Sequence, residues 1–100
     1  MLLAHAVALA EARTYLAALA DHAACLEASL AYERTLLYLD AIHGDHVPAL
    51  DTHGLIEDRA ALRLIAESAI EELVAHGVDA LQVELVLAML DDAARLDTDA

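Results

Sequence analysis

The sequence predicts an all-α protein, and three observations carry that prediction. From Leu2 to His43 there is no Gly, Pro or Asn, and Ala, Leu, Glu and Arg, all strong helix formers, fill most of the stretch. Apolar residues recur there at seven-residue steps, at Leu2, Leu9, Leu16, Ala23, Leu30 and Leu37, with Leu19 and Leu26 falling three positions after Leu16 and Ala23. Two further helical patterns follow, about 55–76 and about 79–96, separated only by Gly77 and Val78.

The first element reads as one helix over about 2–43, ended by Gly44 with Pro48 shortly beyond. Its seven-residue repeat is a coiled-coil-like seam. Towards the C-terminal end the apolar face widens to take in Tyr32, Leu36, Leu39 and Ile42, while Glu11, Arg13, Asp21, Glu27, Arg34 and Asp40 form the polar side. A helix of that length is about 60 Å long, against a radius of gyration of about 13 Å for a compact domain of this size. The alternative is a break near Ala20-Asp21-His22 and a monomeric bundle of four similar helices, although no turn residue marks such a break.

The second element has a core face of Leu62, Ile65, Ala66, Ala69, Ile70 and Leu73, with Glu57 and Asp58 in its first turn. Arg59, Arg63 and Glu67 follow one another by four, the spacing of a surface ion-pair ladder. Gly77 ends this helix as a C′ residue. The third element opens on Asp79 as N-cap, with Gln82 in capping-box position and Val78 and Val83 placed as a hydrophobic staple. Leu81, Val83, Leu85, Val86, Leu87, Met89 and Leu90 surround most of its circumference, which predicts burial on nearly all sides. The tail from Asp97 is expected to fray. The short link predicts that the two later helices form an antiparallel hairpin.

Residues 1–100 make a single helical domain. The chain is 60% apolar, largely through Ala and Leu, with three Tyr and no Phe or Trp, so its core is built for close helix packing rather than for a large aromatic ligand. All five basic residues are Arg, set against 18 acidic ones, giving a net charge of −13. That balance argues against binding nucleic acid or anionic membrane, both of which need Lys and Arg. Its uses are solubility, attraction of a basic partner, or mimicry of nucleic acid. Cys25 stands alone, so no internal disulfide forms, and its place among Ala and Leu reads as a small packed side chain in mid-helix. No apolar run is long enough to span a bilayer, and Met1 to Ala10 lacks the basic start of a signal peptide, so a cytoplasmic protein is expected.

Chemistry-bearing residues gather mainly between the first two elements. His43, Asp45, His46, Asp51 and His53 are of metal-ligand type, with His43, His46 and His53 the candidate ligands, but their spacing matches no established metal motif and a solvated turn explains them. Asp40 with His43 and Glu72 with His76 share helix faces, yet no repeated Glu-x-x-His of the di-iron bundle kind occurs. No nucleophile elbow, Gly-rich phosphate loop or Cys–His spacing is present, so neither catalytic residues nor a cofactor are expected.

Gly77-Val78-Asp79-Ala80-Leu81, with Val83-Glu84-Leu85-Val86 after it, resembles the Asp-Ser-Leu site of acyl carrier proteins over about fifteen residues. Ala80 stands where that family has the Ser that carries phosphopantetheine, and a helix replaces the long loop before it. The shared part is an N-cap pattern, and no function transfers with it.

The expected function is therefore that of a non-catalytic interaction or assembly module, self-associating and binding a protein partner. A homodimer is expected from geometry, because a hairpin covers only about half of a 60 Å helix. Leu9, Leu16, Leu19, Leu26, Leu30, Leu87 and Leu90 are the expected interface residues. The alternatives are an acidic mimic of nucleic acid that inhibits a basic partner, and a bundle that binds metal through the 43–53 loop.

Overall fold

The computed structural model describes residues 3–44 and 58–99. Among them are four α-helices: α1 (Leu3–Asp21), α2 (Leu26–His43), α3 (Arg59–Glu72) and α4 (Ala80–Asp99), with one 3₁₀ turn, Leu73–His76, extending α3. The all-α class is correct. The single helix over 2–43 is not: it breaks at His22–Cys25, and α2 folds back on α1.

Arg13 and Asp40 make the consequence concrete. On one straight helix they would stand about 40 Å apart. Here Arg13 Nε donates to Asp40 Oδ1 at 2.7 Å and Arg13 Nη2 to Asp40 Oδ2 at 3.2 Å, a two-pronged pair between α1 and α2.

The break is held mainly by groups remote in sequence. Cys25 is the N-cap of α2 rather than a mid-helix residue; its backbone is extended (φ −147°, ψ 163°) and its Sγ accepts from Ala28 N. Ser29 Oγ donates to Ala20 O at 2.9 Å, closing the end of α1. The freed N–H of Ala24 donates to Asp97 Oδ1 at 2.7 Å, from the far end of the chain. A turn satisfied by a partner 73 residues away needs no Gly or Pro of its own.

α3 begins later than the pattern predicts, since Asp58 is its N-cap rather than part of its first turn: Oδ1 accepts from Ala60 N at 3.0 Å. The predicted start near Leu55 lies outside the described residues. At its other end Gly77 takes φ 93°, which favours glycine, and Val78 N donates to Leu73 O at 3.2 Å. Asp79 then caps α4 by accepting from Leu81 N at 2.8 Å. The predicted fraying tail is instead helix through Asp99, and Asp97 is buried.

Cross-links fix the directions. His5 meets His43 and stacks on His76 at one end; Ala24, Tyr32 and Arg59 meet Asp97 at the other. Thus α1 and α4 run one way, α2 and α3 the other. α1 packs on α2 and α3, α4 packs on the same two helices, and the parallel pairs α1/α4 and α2/α3 sit on the diagonals. Every neighbouring pair is antiparallel, as in a four-helix bundle.

Between them lies one core, with Leu9, Leu16, Leu19, Tyr32, Leu39, Leu62, Ile70, Leu73, Val86 and Leu90 almost wholly enclosed. Many alanines, among them Ala8, Ala12, Ala28, Ala66 and Ala93, line the helix contacts and let the backbones approach closely. The radius of gyration is 12.5 Å. That is the value of a compact chain of this length, about 13 Å, so the overhang that demanded a second chain does not exist.

Candidate functional site

Three places on the bundle hold more than ordinary packing. The first is the imidazole cluster at the end where α1 begins and α2 ends. His43 Nδ1 lies 2.9 Å from Leu39 O, so it carries the proton and donates. That leaves His43 Nε2 as an acceptor for the Nε2–H of His5, 3.1 Å away. His76 stacks nearly parallel on His5, with ring centroids 5.6 Å apart. Ile42, Val78, Asp79 and Gln82 complete the shallow cleft. Burial, reinforced by the two neighbouring imidazoles, lowers the pKa of His5 from 6.5.

Of the candidate metal ligands His43 lies within this cluster; His46 and His53, with Asp45 and Asp51, fall outside the described residues. Asp40 does not join His43, being engaged by Arg13. Among the described residues no three His, Cys, Asp or Glu side chains converge so as to hold a metal ion.

The second place is the opposite end, around Asp97. Its carboxylate accepts from Ala24 N at 2.7 Å, from Arg59 Nη1 at 2.7 Å and from Tyr32 Oη at 3.3 Å. One side chain thus ties α4 to the α1–α2 turn, to α2 and to α3. Burial first, and the Asp97 charge second, push the Tyr32 hydroxyl up to about 12. Beside it Arg63 bridges Glu67 Oε1 and Asp91 Oδ1, each at 2.8 Å. Arg59 leaves the predicted ladder for Asp97, and only its Arg63–Glu67 step forms.

The third place is the outer side of α2. Leu26, Leu30 and Leu37 fall on one face, turned from the core, with exposures of 74%, 44% and 67%. The exposed Glu33, seven residues after Leu26, interrupts that face between Leu30 and Leu37, and the exposed Arg34 and Ala41 border it on the side away from Glu33. α4 also exposes Leu81, Leu85 and Leu96, by 74%, 47% and 40%, with the exposed Asp92 on the same face between Leu85 and Leu96. The prediction that α4 is buried on nearly all sides fails there, because among the described residues only α2, α3 and the 3₁₀ turn cover it.

The expected interface residues therefore divide. Leu9, Leu16, Leu19 and Leu90 are enclosed within the chain's own core. Leu87 is half-buried and packs against that core. Leu26 and Leu30 remain on the outside. Leu37, on the same seven-residue seam, joins them. The seven-residue repeat was a real signal, but once the helix breaks it divides between two purposes: the α1 part is core and the α2 part is surface.

Comparisons with protein-family models, curated proteins and solved structures give no match to this chain. Among the described residues no helix is long and apolar enough to cross a membrane.

Proposed function

We propose that this chain is a small non-catalytic interaction module that self-associates and binds a protein partner, working through leucines on the outside of a closed bundle. The observation that carries the reading is the α2 stripe. A soluble monomer exposes single leucines routinely, but aligned ones at helical spacing are the signature of a docking face. Leu26, Leu30 and Leu37 make such a row while the core behind them is already complete.

Magnitudes place the strength of such an association. Two copies would cover six leucines, each contributing about 1.5–3 kcal/mol when fully buried, against about 4–15 kcal/mol lost on association. These leucines are already partly buried, so the gain is smaller than that sum and only comparable with the cost, which makes any such dimer a weak one. The exposed Leu81, Leu85 and Leu96 of α4 supply further apolar surface for a protein partner.

The acidic-mimic reading has less support. It needs a row of carboxylates at phosphate spacing, whereas the exposed acids, such as Glu11, Glu27, Glu71 and Glu84, are spread over all four helices.

Sedimentation equilibrium tests the proposal. Wild type is expected to show a weak monomer–dimer equilibrium, and Leu30→Glu with Leu37→Glu to abolish it while leaving the helical circular dichroism intact, since both positions face solvent. A wild type that stays monomeric throughout would overturn the self-association reading.

A further inference from the structure

We infer that the imidazole cluster takes a divalent transition-metal ion of the zinc class, held between His5 Nε2 of α1 and His43 Nε2 of α2, with water on its remaining positions. The inference stands apart from the self-association reading and uses none of its leucines.

The geometry begins with His43, the last residue of α2. Its Nδ1 donates to Leu39 O at 2.9 Å, which holds the ring and leaves the Nε2 lone pair directed outward. Metal-binding imidazoles are oriented in this manner, with the second ring nitrogen tied to a carbonyl or carboxylate. The outward lone pair meets His5 Nε2 at 3.1 Å. Zinc–nitrogen bonds are about 2.0–2.1 Å long, so two imidazoles on one tetrahedral ion keep their nitrogens about 3.4 Å apart. A separation of a few tenths of an ångström therefore distinguishes the hydrogen-bonded pair from a pair of ligands.

A proton now occupies the position between the two nitrogens, carried by His5 Nε2. For the ion to enter, that proton moves to Nδ1 of the same ring. Both Nε2 lone pairs then reach the metal, and no proton is released overall. One hydrogen bond between α1 and α2 is exchanged for two coordinate bonds.

The donors select the ion. Two neutral imidazoles suit zinc, nickel and copper, whereas magnesium and calcium take oxygen. His76 stacks on His5 with ring planes 8° apart and braces that ligand from the 3₁₀ turn. Asp79 and Gln82 line the open side of the same cleft, and both are exposed, so water reaches the ion. The net charge of −13 draws cations to the surface as a whole. With two side chains as ligands, and no set of three converging among the described residues, binding belongs in the micromolar range, weaker than at closed four-ligand sites.

Calorimetric titration of the full chain with zinc chloride at pH 7.5 tests this. One ion per chain is expected, with affinity reduced about tenfold or more in His5→Gln and in His43→Gln. His46→Gln together with His53→Gln should leave it unchanged, as should His22→Gln on the exposed end of α1. Because the two ligands meet only in the folded chain, zinc should also raise the Tm of wild type, and raise that of His5→Gln much less. Circular dichroism confirms that each variant keeps its helices. Absence of a one-to-one isotherm in wild type would overturn the site. So would binding that survives His5→Gln, or that disappears with His46 and His53.

Discussion

Asp97 shows how much one side chain can hold together. It is 7% exposed and accepts from a backbone N–H, a tyrosine hydroxyl and a guanidinium on three different segments. Asp97→Ala leaves the Tyr32 hydroxyl and the Ala24 N–H without acceptors, and is expected to cost about 2–3 kcal/mol in urea unfolding. Asp97→Asn keeps one acceptor oxygen and should cost less. Equal losses would mean that charge, not acceptance, is what the site needs. Tyr32 carries the alkaline consequence: its pKa of about 12 lies above its ordinary 10, so stability should fall as pH rises from 10 towards 12. His5 works at the other end of the scale. Its folded pKa is lowered from 6.5, so the folded state resists protonation that the unfolded chain accepts. Its contribution is complete above pH 6.5 and is lost as pH falls from there through the lowered value. Thermal unfolding at pH 7.5 and at pH 5 should therefore show a drop in Tm that His5→Gln reduces. A drop of the same size in the variant would assign the acid sensitivity to other groups.

At the scale of elements, the α1–α2 turn separates what can be read from sequence from what cannot. Helices mark themselves locally: Ala and Leu content, Gly77 beyond the end of α3 and Asp79 before the start of α4 are all visible in the residues alone. So is the α3 core face, where Leu62, Ala66, Ala69, Ile70 and Leu73 are buried and Ile65 partly so. The turn is different, because His22-Ala23-Ala24-Cys25 contains no residue with a turn preference and cysteine is a poor cap. Its open donor is satisfied by Asp97, a contact that no window of sequence contains. The same limit hid the candidate surface. Leu37 and Leu16 occupy one repeat in the sequence, and only the fold assigns one to solvent and the other to the core. The imidazole cluster was hidden likewise, since His5, His43 and His76 come from three separate segments. Cys25→Ser tests the cap: Ser accepts from the third residue more strongly at this extended φ and ψ, so the variant should gain about 0.5–1 kcal/mol in chemical denaturation. A loss instead would show that the sulfur's packing near Leu96 outweighs its capping.

For the molecule as a whole, charge and apolar surface oppose each other. Each copy carries −13, so two copies repel at every distance that solvent does not screen. Their leucine faces attract only on contact. Screening lengths run from about 30 Å at 0.01 M salt to about 8 Å at 0.15 M, so salt removes the repulsion well before it touches burial. Dimerisation should therefore tighten as salt rises across that range, and the sedimentation dissociation constant should fall. A protein acting instead as an acidic decoy for a basic partner would bind that partner less well over the same range, because its attraction is the term being screened. The two readings thus predict opposite slopes. Self-association that weakened steadily with salt would mean that ion pairs, and not the leucines of α2, hold the copies together.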